Sequence, residues 1–470
     1  MTRRNSIRIT ILLTIAVFSM TVTFAQITMP EFQRTETRGG AVRPDVDGAV
    51  IAAMVSEVCF NSTVASAASG GCIVTDFQRE VITRRIAHYT FKVRFGPGPY
   101  DVFGLHRIVK EAFPFHPSRV RDGILILHGD LLGFEGGFLG NLRTPDARAD
   151  HALPVYLAQR GVDVWGIDQG WTLVPVEETD VSWAEGWGFD KELDQLGLAL
   201  GVARAVRGAT GSGAGPISLL GWSRGAQVVL AQANAETQLP AHDRNVSGYV
   251  YADVSTKFTD PAVKQASCGD YDTVLDIIAA GDFADPTGQL FVSLGALAAA
   301  DPLGDSPIFP GFTNETAALF IGSVPFGTAT APNYHLCAGE FDVDGLPFGL
   351  QYTDEQLLYH WLTGASPYEP VQILADGESL GCDRDDPPWD DHWSEITAPI
   401  LYLEAAGGAG GDFGYQTLPY IPNAAITELI IQLYPDEDRA LDYGHVDIWT
   451  ADNAPKLVWR PILTWIRHNR

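Results

Sequence analysis

The chain has 470 residues, and its 58 aspartates and glutamates against 31 lysines and arginines give a net charge of −27. This charge argues against nucleic acid and anionic membrane surfaces as partners, because both repel an acidic protein. None of the five cysteines forms a C-x-x-C pair, so a zinc or redox motif of that type is not expected. Cys59 and Cys72 are the closest pair, and the pairing of the other three cysteines stays open.

The first residues have the pattern of an export signal. A start with three arginines precedes an almost wholly apolar stretch at 9–24, and small residues at positions 23 and 25 allow cleavage before Gln26. We therefore expect a signal peptide at 1–25 and a secreted or periplasmic mature protein; an uncleaved anchor helix is the alternative. No later stretch reaches the roughly 18 apolar residues of a membrane span, so the mature chain should contain no stable span.

Strands alternate with helices through most of the chain. Residues 26–85 show no clear period and predict an irregular N-terminal extension. The predicted elements that follow, in chain order, are strands at 89–95, 102–109 and 123–128, a helix at 151–160, a strand at 162–168, a helix from Asp190, a strand at 216–220, a helix at 226–233, strands at 248–253, 399–403 and 429–433, and a helix at 457–466. This order predicts an α/β fold with a mostly parallel twisted sheet flanked by helices.

Residues 255–395 interrupt this alternation between two late strands. The segment contains apolar, helix-like pieces separated by glycine and proline, which predicts a largely helical insertion that divides the core into 86–254 and 396–470. A separate small domain is the alternative. The acidic run at 383–391 invites a calcium interpretation, but its spacing does not match an EF-hand loop, and a solvated acidic loop is favoured.

The pentapeptide Gly221-Trp222-Ser223-Arg224-Gly225 lies between a predicted strand and a predicted helix. A strand, G-x-S-x-G and a helix in this order form the nucleophile elbow, in which a sharp turn exposes the serine. Ser223 is therefore the candidate nucleophile, and the main-chain amide of Arg224 faces the same space as an oxyanion donor.

Two further motifs complete the candidate machinery. His128-Gly129-Asp130 ends a central strand, and His128 is expected to have a structural role. Gly444-His445 follows the last strand, where a loop reaches back over the elbow, so His445 is the candidate general base.

From about 87 to 470 the chain resembles the α/β-hydrolase superfamily, particularly its exported lipase- and esterase-like members, through these three motifs and the order of strands. The resemblance implies a Ser-His-acid mechanism on a small-molecule or lipid ester, with no metal and no organic cofactor. It also implies that the loop at 128–130 is an oxyanion loop, with the Asp130 amide as the second donor beside Arg224, and that the insertion at 255–395 is a cap or lid over the active site. Related haloalkane dehalogenases and epoxide hydrolases use an aspartate nucleophile, and position 223 is serine. A peptidase or acyltransferase with the same triad is a variant of this hypothesis, and a non-catalytic binding protein on the same scaffold is its rival.

The acid of the triad is open between three carboxylates. Asp412 lies in the usual loop, but after a glycine-rich run at 407–411 that suggests a flexible mount, and Glu404 ends the preceding strand. Asp253 ends the strand after the elbow helix, which is a stiffer support. All three keep the order serine, acid, histidine, and we favour Asp253.

Overall fold

The computed structural model describes residues 73–411 and 413–469. The predicted signal peptide, residues 26–72 of the predicted extension, and Asp412 lie outside the described residues. Ile73–Thr83 forms strand β1, so the expectation of irregular structure up to residue 85 is wrong for this segment. The strand pairs antiparallel with its successor but changes register between Thr75 and Phe77. This bulge breaks the alternation of apolar and polar residues, which hides the strand in the sequence.

Nine strands form one mostly parallel sheet in the order β1-β2-β3-β6-β5-β7-β8-β13-β14, and β4 pairs with β3 at its side. The pairs among β1, β2, β3 and β6 are antiparallel, and every pair from β6 through β5, β7, β8 and β13 to β14 is parallel. The strands after β1 are β2 Ile86–Arg94, β3 Val102–Phe113, β4 His116–Pro117, β5 Asp122–Leu127, β6 Val162–Asp168, β7 Ile217–Trp222, β8 Val246–Ala252, β9 Ala284–Asp285, β10 Gly339–Phe341, β11 Pro347–Leu350, β12 Glu369–Pro370, β13 Ile400–Ala405 and β14 Ile426–Ile431. The predicted fold class is confirmed.

Helices follow the strands as the sequence predicts. They are α1 Phe134–Phe138, α2 Leu153–Gln159, α3 Phe189–Ala209, α4 Arg224–Thr237, α5 Pro261–Ala279, α6 Thr287–Ala300, α7 Asn314–Ser323, α8 Glu355–Leu362, α9 Val371–Cys382, α10 Asp447–Thr450 and α11 Arg460–His468. Alternate residues of the central strands enter different apolar layers: Ile124 and Ile126 pack on one face of the sheet, and Leu125 and Leu127 on the other. This two-sided burial explains the continuous apolar runs of the parallel strands.

The insertion between β8 and β13 is largely helical. It contains α5 to α9 and two small antiparallel sheets, β9 with β12 and β10 with β11. A disulfide between Cys268 and Cys382 joins α5 to α9, whereas Cys337 is a buried free thiol. In the acidic run, Asp383 and Asp390 form ion pairs with Lys257.

No helix among the described residues is both long enough and apolar enough to cross a membrane.

Candidate active site

Ser223 stands between β7 and α4, as the elbow motif predicts. Its backbone has φ +58° and ψ −135°, a conformation that residues with a side chain rarely adopt and that is common at active sites. The Ser223 amide donates to the carbonyl of Ala252 at the end of β8, at 2.9 Å. The strained turn is thus held by the neighbouring strand and leaves the serine partly exposed.

Three glycines make room for this turn. A Cβ at Gly221 would lie 2.3 Å from the Gly225 carbonyl oxygen, and a Cβ at Gly225 would lie 2.0 Å from that of His128. At Gly129 it would lie 2.6 Å from the Cβ of Ser223 and 3.3 Å from its Oγ. Since real side chains do not approach so closely, the elbow and the loop at 128–130 both need glycine, and that loop passes directly beside Ser223.

Asp253 directly follows β8 and lies beside Ser223 at the edge of the sheet. Strands β7 and β8 are parallel neighbours that align Trp222 with Ala252, so the residues after them emerge at adjacent strand ends. Asp253 is completely buried and also has a positive φ, +52°. Its Oδ2 accepts a hydrogen bond from His445 Nδ1 at 2.6 Å. The structure therefore brings together the favoured acid and the candidate base.

The glycine-rich segment at 407–411 wraps around the Asp253 carboxylate. The amides of Ala405, Ala409 and Gly410 donate to the carboxylate at 2.9, 3.3 and 3.2 Å. A Cβ at Gly408 would lie 2.0 Å from Asp253 Oδ2. The glycines of this run allow the backbone to approach the Asp253 carboxylate, a role that the sequence interpretation did not include.

Glu404 is engaged elsewhere. Its carboxyl group accepts a hydrogen bond from the Tyr402 hydroxyl. Burial raises the pKa of Glu404 to about 8, so at neutral pH this side chain is mostly a neutral acid. A neutral acid does not stabilise an imidazolium, and Glu404 is a poor candidate for the acid of the triad.

The loop that carries His445 is fixed on two sides. Gly407 donates to the Tyr443 carbonyl at 2.9 Å, and the His445 amide donates to the His335 carbonyl at 3.0 Å. The His445 ring is buried and stacks on the Trp222 indole, with ring centroids 4.8 Å apart. Since Trp222 directly precedes Ser223, this stacking holds the imidazole beside the elbow.

His128 has the structural role that the sequence predicts. Its Nδ1 donates to the Gly129 carbonyl at 2.9 Å, and its Nε2 accepts from the Gln169 amide at 3.3 Å. Burial lowers the pKa of His128, in keeping with this neutral tautomer. Both ring nitrogens are used in shaping the loop, so His128 has no nitrogen left for proton transfer.

Comparisons with known proteins agree with this architecture. No family model matches the chain, and no curated protein matches it. Among solved structures, a proposed lipase from Sulfolobus solfataricus is 18% identical over 84% of this chain and 99% of its own, with a TM-score of 0.57. The chain has the α/β-hydrolase fold.

Other similar structures are an esterase from Thermogutta terrifontis, 13% identical over 84% of this chain and 99% of its own with a TM-score of 0.36, and epoxide hydrolase I from potato (Solanum tuberosum), 11% identical over 84% of this chain and 100% of its own with a TM-score of 0.41. Both are hydrolases of different chemistry. At these identities the likeness concerns the fold, so the reaction has to be argued from the side chains.

The insertion of this α/β-hydrolase-fold chain contacts the candidate oxyanion loop. Leu131, which has φ +62°, donates its amide to Glu369 Oε2 at 3.1 Å and accepts from the Ser366 amide at 2.6 Å. Glu369 is 2% exposed, and burial together with the negative charge of Asp130 raises the pKa of Glu369 well above its usual range. The insertion thus fixes the loop that carries Asp130.

Arg224 connects the elbow to the same loop through its side chain. Its Nε lies 3.2 Å from Asp130 Oδ1, and its Nη2 lies 3.8 Å from Glu378 Oε1 in the insertion. Burial alone would lower the pKa of Arg224, but the charges of Asp130 and Glu378 outweigh it and raise the pKa. The guanidinium therefore stays charged and holds the loop at 128–130 against the elbow.

Sequence reasoning missed the residues that the insertion contributes. His335 is completely buried, and its Nε2 donates to the Asp442 carbonyl at 2.8 Å while its own carbonyl supports His445. Glu369 contacts the candidate oxyanion loop from 238 residues away along the chain. Neither residue lies in a motif, and no local pattern signals contacts over such separations.

Proposed function

We propose that the chain is a serine hydrolase that cleaves carboxylic esters through an acyl-enzyme on Ser223. The observation that carries this proposal is the 2.6 Å contact between His445 Nδ1 and Asp253 Oδ2, beside a serine on a strained elbow. A partly exposed serine beside a histidine that a buried carboxylate orients is the arrangement of a Ser-His-acid catalyst of acyl transfer.

Each group has a role in the proposed cycle. Ser223 Oγ attacks the ester carbonyl carbon, and its proton passes to His445 Nε2, the ring nitrogen that Asp253 leaves available. Asp253 keeps the second proton on Nδ1 and stabilises the imidazolium. The imidazolium then protonates the leaving alcohol, and a water activated by the same histidine releases the acid.

Two main-chain amides would bind the oxyanion of the tetrahedral intermediates. The Arg224 amide is the first of α4, and N–H groups of a first helical turn have no partner within their helix. The Asp130 amide belongs to the loop that passes beside Ser223. Donors of this kind each lower the barrier by about 2.7–4 kcal/mol.

An ester with an apolar acyl or aromatic group fits the surroundings of the base best. The Tyr334 ring of the insertion lies 5.2 Å from the His445 ring, and Trp361 lies 6.2 Å from Trp222, centroid to centroid. Aromatic side chains favour apolar groups. Peptides and acyl acceptors other than water remain alternative substrates for the same machinery.

An aspartate-dependent reaction of the epoxide hydrolase or dehalogenase type is disfavoured, because serine occupies position 223. A binding protein without catalysis is also disfavoured, since the serine and the histidine are both retained and His445 contacts Asp253. Export of the chain is part of the proposal; the disulfide between Cys268 and Cys382 is typical of oxidising compartments, and a mature N-terminus at Gln26, measured by mass spectrometry, would test it.

A fluorophosphonate probe tests the reaction class. We expect stoichiometric labelling of the wild type at Ser223, no labelling of Ser223→Ala, and normal labelling of Ser218→Ala, a matched control in the preceding strand. In ester hydrolysis, Ser223→Ala should retain only the rate enhancement of about 10³–10⁴ over the uncatalysed reaction in water that binding and the oxyanion hole provide. Folded wild-type protein that neither labels nor hydrolyses a panel of esters of increasing chain length would contradict the proposal.

A further inference from the structure

Two buried histidines face each other on neighbouring strands, away from the proposed triad. In the antiparallel register of β2 and β3, His106 pairs with Thr90, so His88 lies diagonally across on the same face. His88 Nε2 lies 2.9 Å from His106 Nδ1, and both residues are less than 5% exposed. A hydrogen bond across this short gap requires that one of the two nitrogens carries a proton.

Carboxylates on the outer side of each ring decide where the protons are. His88 Nδ1 lies 3.1 Å from Glu80 Oε1, and His106 Nε2 lies 2.8 Å from Asp168 Oδ2. Ionised carboxylates only accept hydrogen bonds, so each outer nitrogen carries its ring's proton. In two neutral imidazoles the inner nitrogens then present lone pairs to each other, so the gap has to hold either one extra proton or a metal cation.

A third ligand atom lies within reach. Glu135 Oε1 in α1 is 3.8 Å from His106 Nδ1, and the ligand atoms of His88, His106 and Glu135 all lie within 4.8 Å of one another. Ligand atoms around a tetrahedral zinc ion are about 3.3 Å apart. The Glu135 side chain is 39% exposed and can move toward the histidines, so the three atoms can converge on one ion.

We propose that His88 Nε2, His106 Nδ1 and Glu135 Oε1 form a structural site for a divalent zinc-type cation, with water as the fourth ligand. Two imidazoles and one carboxylate suit zinc. The outer contacts to Glu80 and Asp168 match the carboxylates that orient and polarise histidine ligands in metal sites. This site is independent of the proposed ester chemistry, because none of its ligands belongs to the triad.

Charge and position support a structural cation. Glu80, Glu135 and Asp168 carry three negative charges, and among the described residues Arg143 is the only lysine or arginine within ion-pair distance of them. Arg143 offsets one of the three negative charges. A divalent ion would neutralise the two charges that remain, whereas a single proton would leave one negative charge uncompensated. The ion would tie β2 and β3 to α1, the helix that directly follows the loop carrying Asp130.

Metal binding to the purified chain, with any histidine tag removed, tests the site. After chelation and dialysis, we expect one equivalent of Zn²⁺ per chain by plasma mass spectrometry, a rise in Tm on Zn²⁺ addition, and the visible absorption of tetrahedral cobalt with Co²⁺. His88→Gln and His106→Gln should lose the bound equivalent and the Tm rise, whereas His116→Gln, an exposed histidine on β4, should keep both.

An exposed outer carboxylate provides a variant that does not endanger folding. The Glu80 side chain is 66% exposed, and Asp76 on the same strand is 49% exposed. Glu80→Gln should weaken zinc binding about 10–100-fold, and Asp76→Asn should leave it unchanged. Binding of less than one equivalent of zinc by the wild type would overturn the proposal. Equally strong binding by the wild type, by Glu80→Gln and by the histidine variants that fold would overturn it as well. In either case His88 and His106 are instead a hydrogen-bonded pair in which one ring is protonated.

Discussion

Replacing Asp253 by asparagine should disable the proposed base while keeping most of the local structure. Asp253 Oδ1 accepts from the amides of Ala405 and Gly410, and Oδ2 accepts from Ala409 and from His445 Nδ1. An asparagine oxygen in the Oδ1 position retains two of these bonds. Its NH₂ group then donates to His445 Nδ1, which places the ring proton on Nε2 and prevents that nitrogen from accepting the serine proton.

The expected loss in kcat for Asp253→Asn is about 10⁴, the size seen when the acid of a triad is replaced by its amide. This corresponds to about 5.4 kcal/mol of barrier. The cost in stability should be smaller, about 1–3 kcal/mol, because the Ala409 amide is left facing the NH₂ group. Initial rates with a small activated ester and urea unfolding measure the two quantities separately.

Two other carboxylates serve as controls for this experiment. Glu404→Gln should leave kcat within a few-fold, because burial keeps the Glu404 carboxyl largely neutral and glutamine is neutral too. Asp412→Asn tests the alternative acid directly. If folded Asp253→Asn keeps kcat within about tenfold of wild type, or if only Asp412→Asn shows the large loss, the assignment of Asp253 is wrong.

Three further outcomes are expected. Gly408→Ala should lower kcat strongly, since its Cβ would lie 2.0 Å from the Asp253 carboxylate. The control Gly197→Ala, whose Cβ meets open space in α3, should retain activity. Equal kcat values in the two variants would contradict the role given to Gly408. Burial raises the pKa of Glu192 from 4.5 to about 8. The contribution of the neutral Glu192 to folding stability is therefore complete below about pH 4.5 and is lost as the pH rises through 8, by at most about 1.4 kcal/mol per pH unit. Urea midpoints at pH 6 and pH 9 should differ less in Glu192→Gln than in the wild type, and an unchanged difference would refute this pH dependence. Replacing both Cys268 and Cys382 by alanine removes a disulfide between residues 114 positions apart. On a loop-entropy model this should lower the free energy of unfolding by about 4–5 kcal/mol. An unchanged free energy of unfolding would refute this prediction.

Local motifs were predictable because their physical cause is local. A serine between a buried strand and a helix, with glycines at 221 and 225, predicts the elbow, since only this backbone brings the strand end and the helix so close. The position of Asp253 beside the elbow was predictable, because this residue follows the next parallel strand. The strand at Ile73–Thr83 was not, because its bulge disrupts the period. The contact of the glycine run at 407–411 with Asp253 was not predictable, because the carboxylate lies more than 150 residues earlier.

The insertion at 255–395 donates and accepts hydrogen bonds that support the candidate site. The sequence could not indicate these contacts. The carbonyls of His335 and Leu336 accept from the amides of His445 and Val446 at 3.0 and 2.7 Å, and Glu369 holds the oxyanion loop. Removing this segment would therefore remove hydrogen bonds that position the base and the loop, whatever the ester. Because deletion removes these supports, any contribution of the insertion to substrate preference has to be probed by changing side chains that do not contact them.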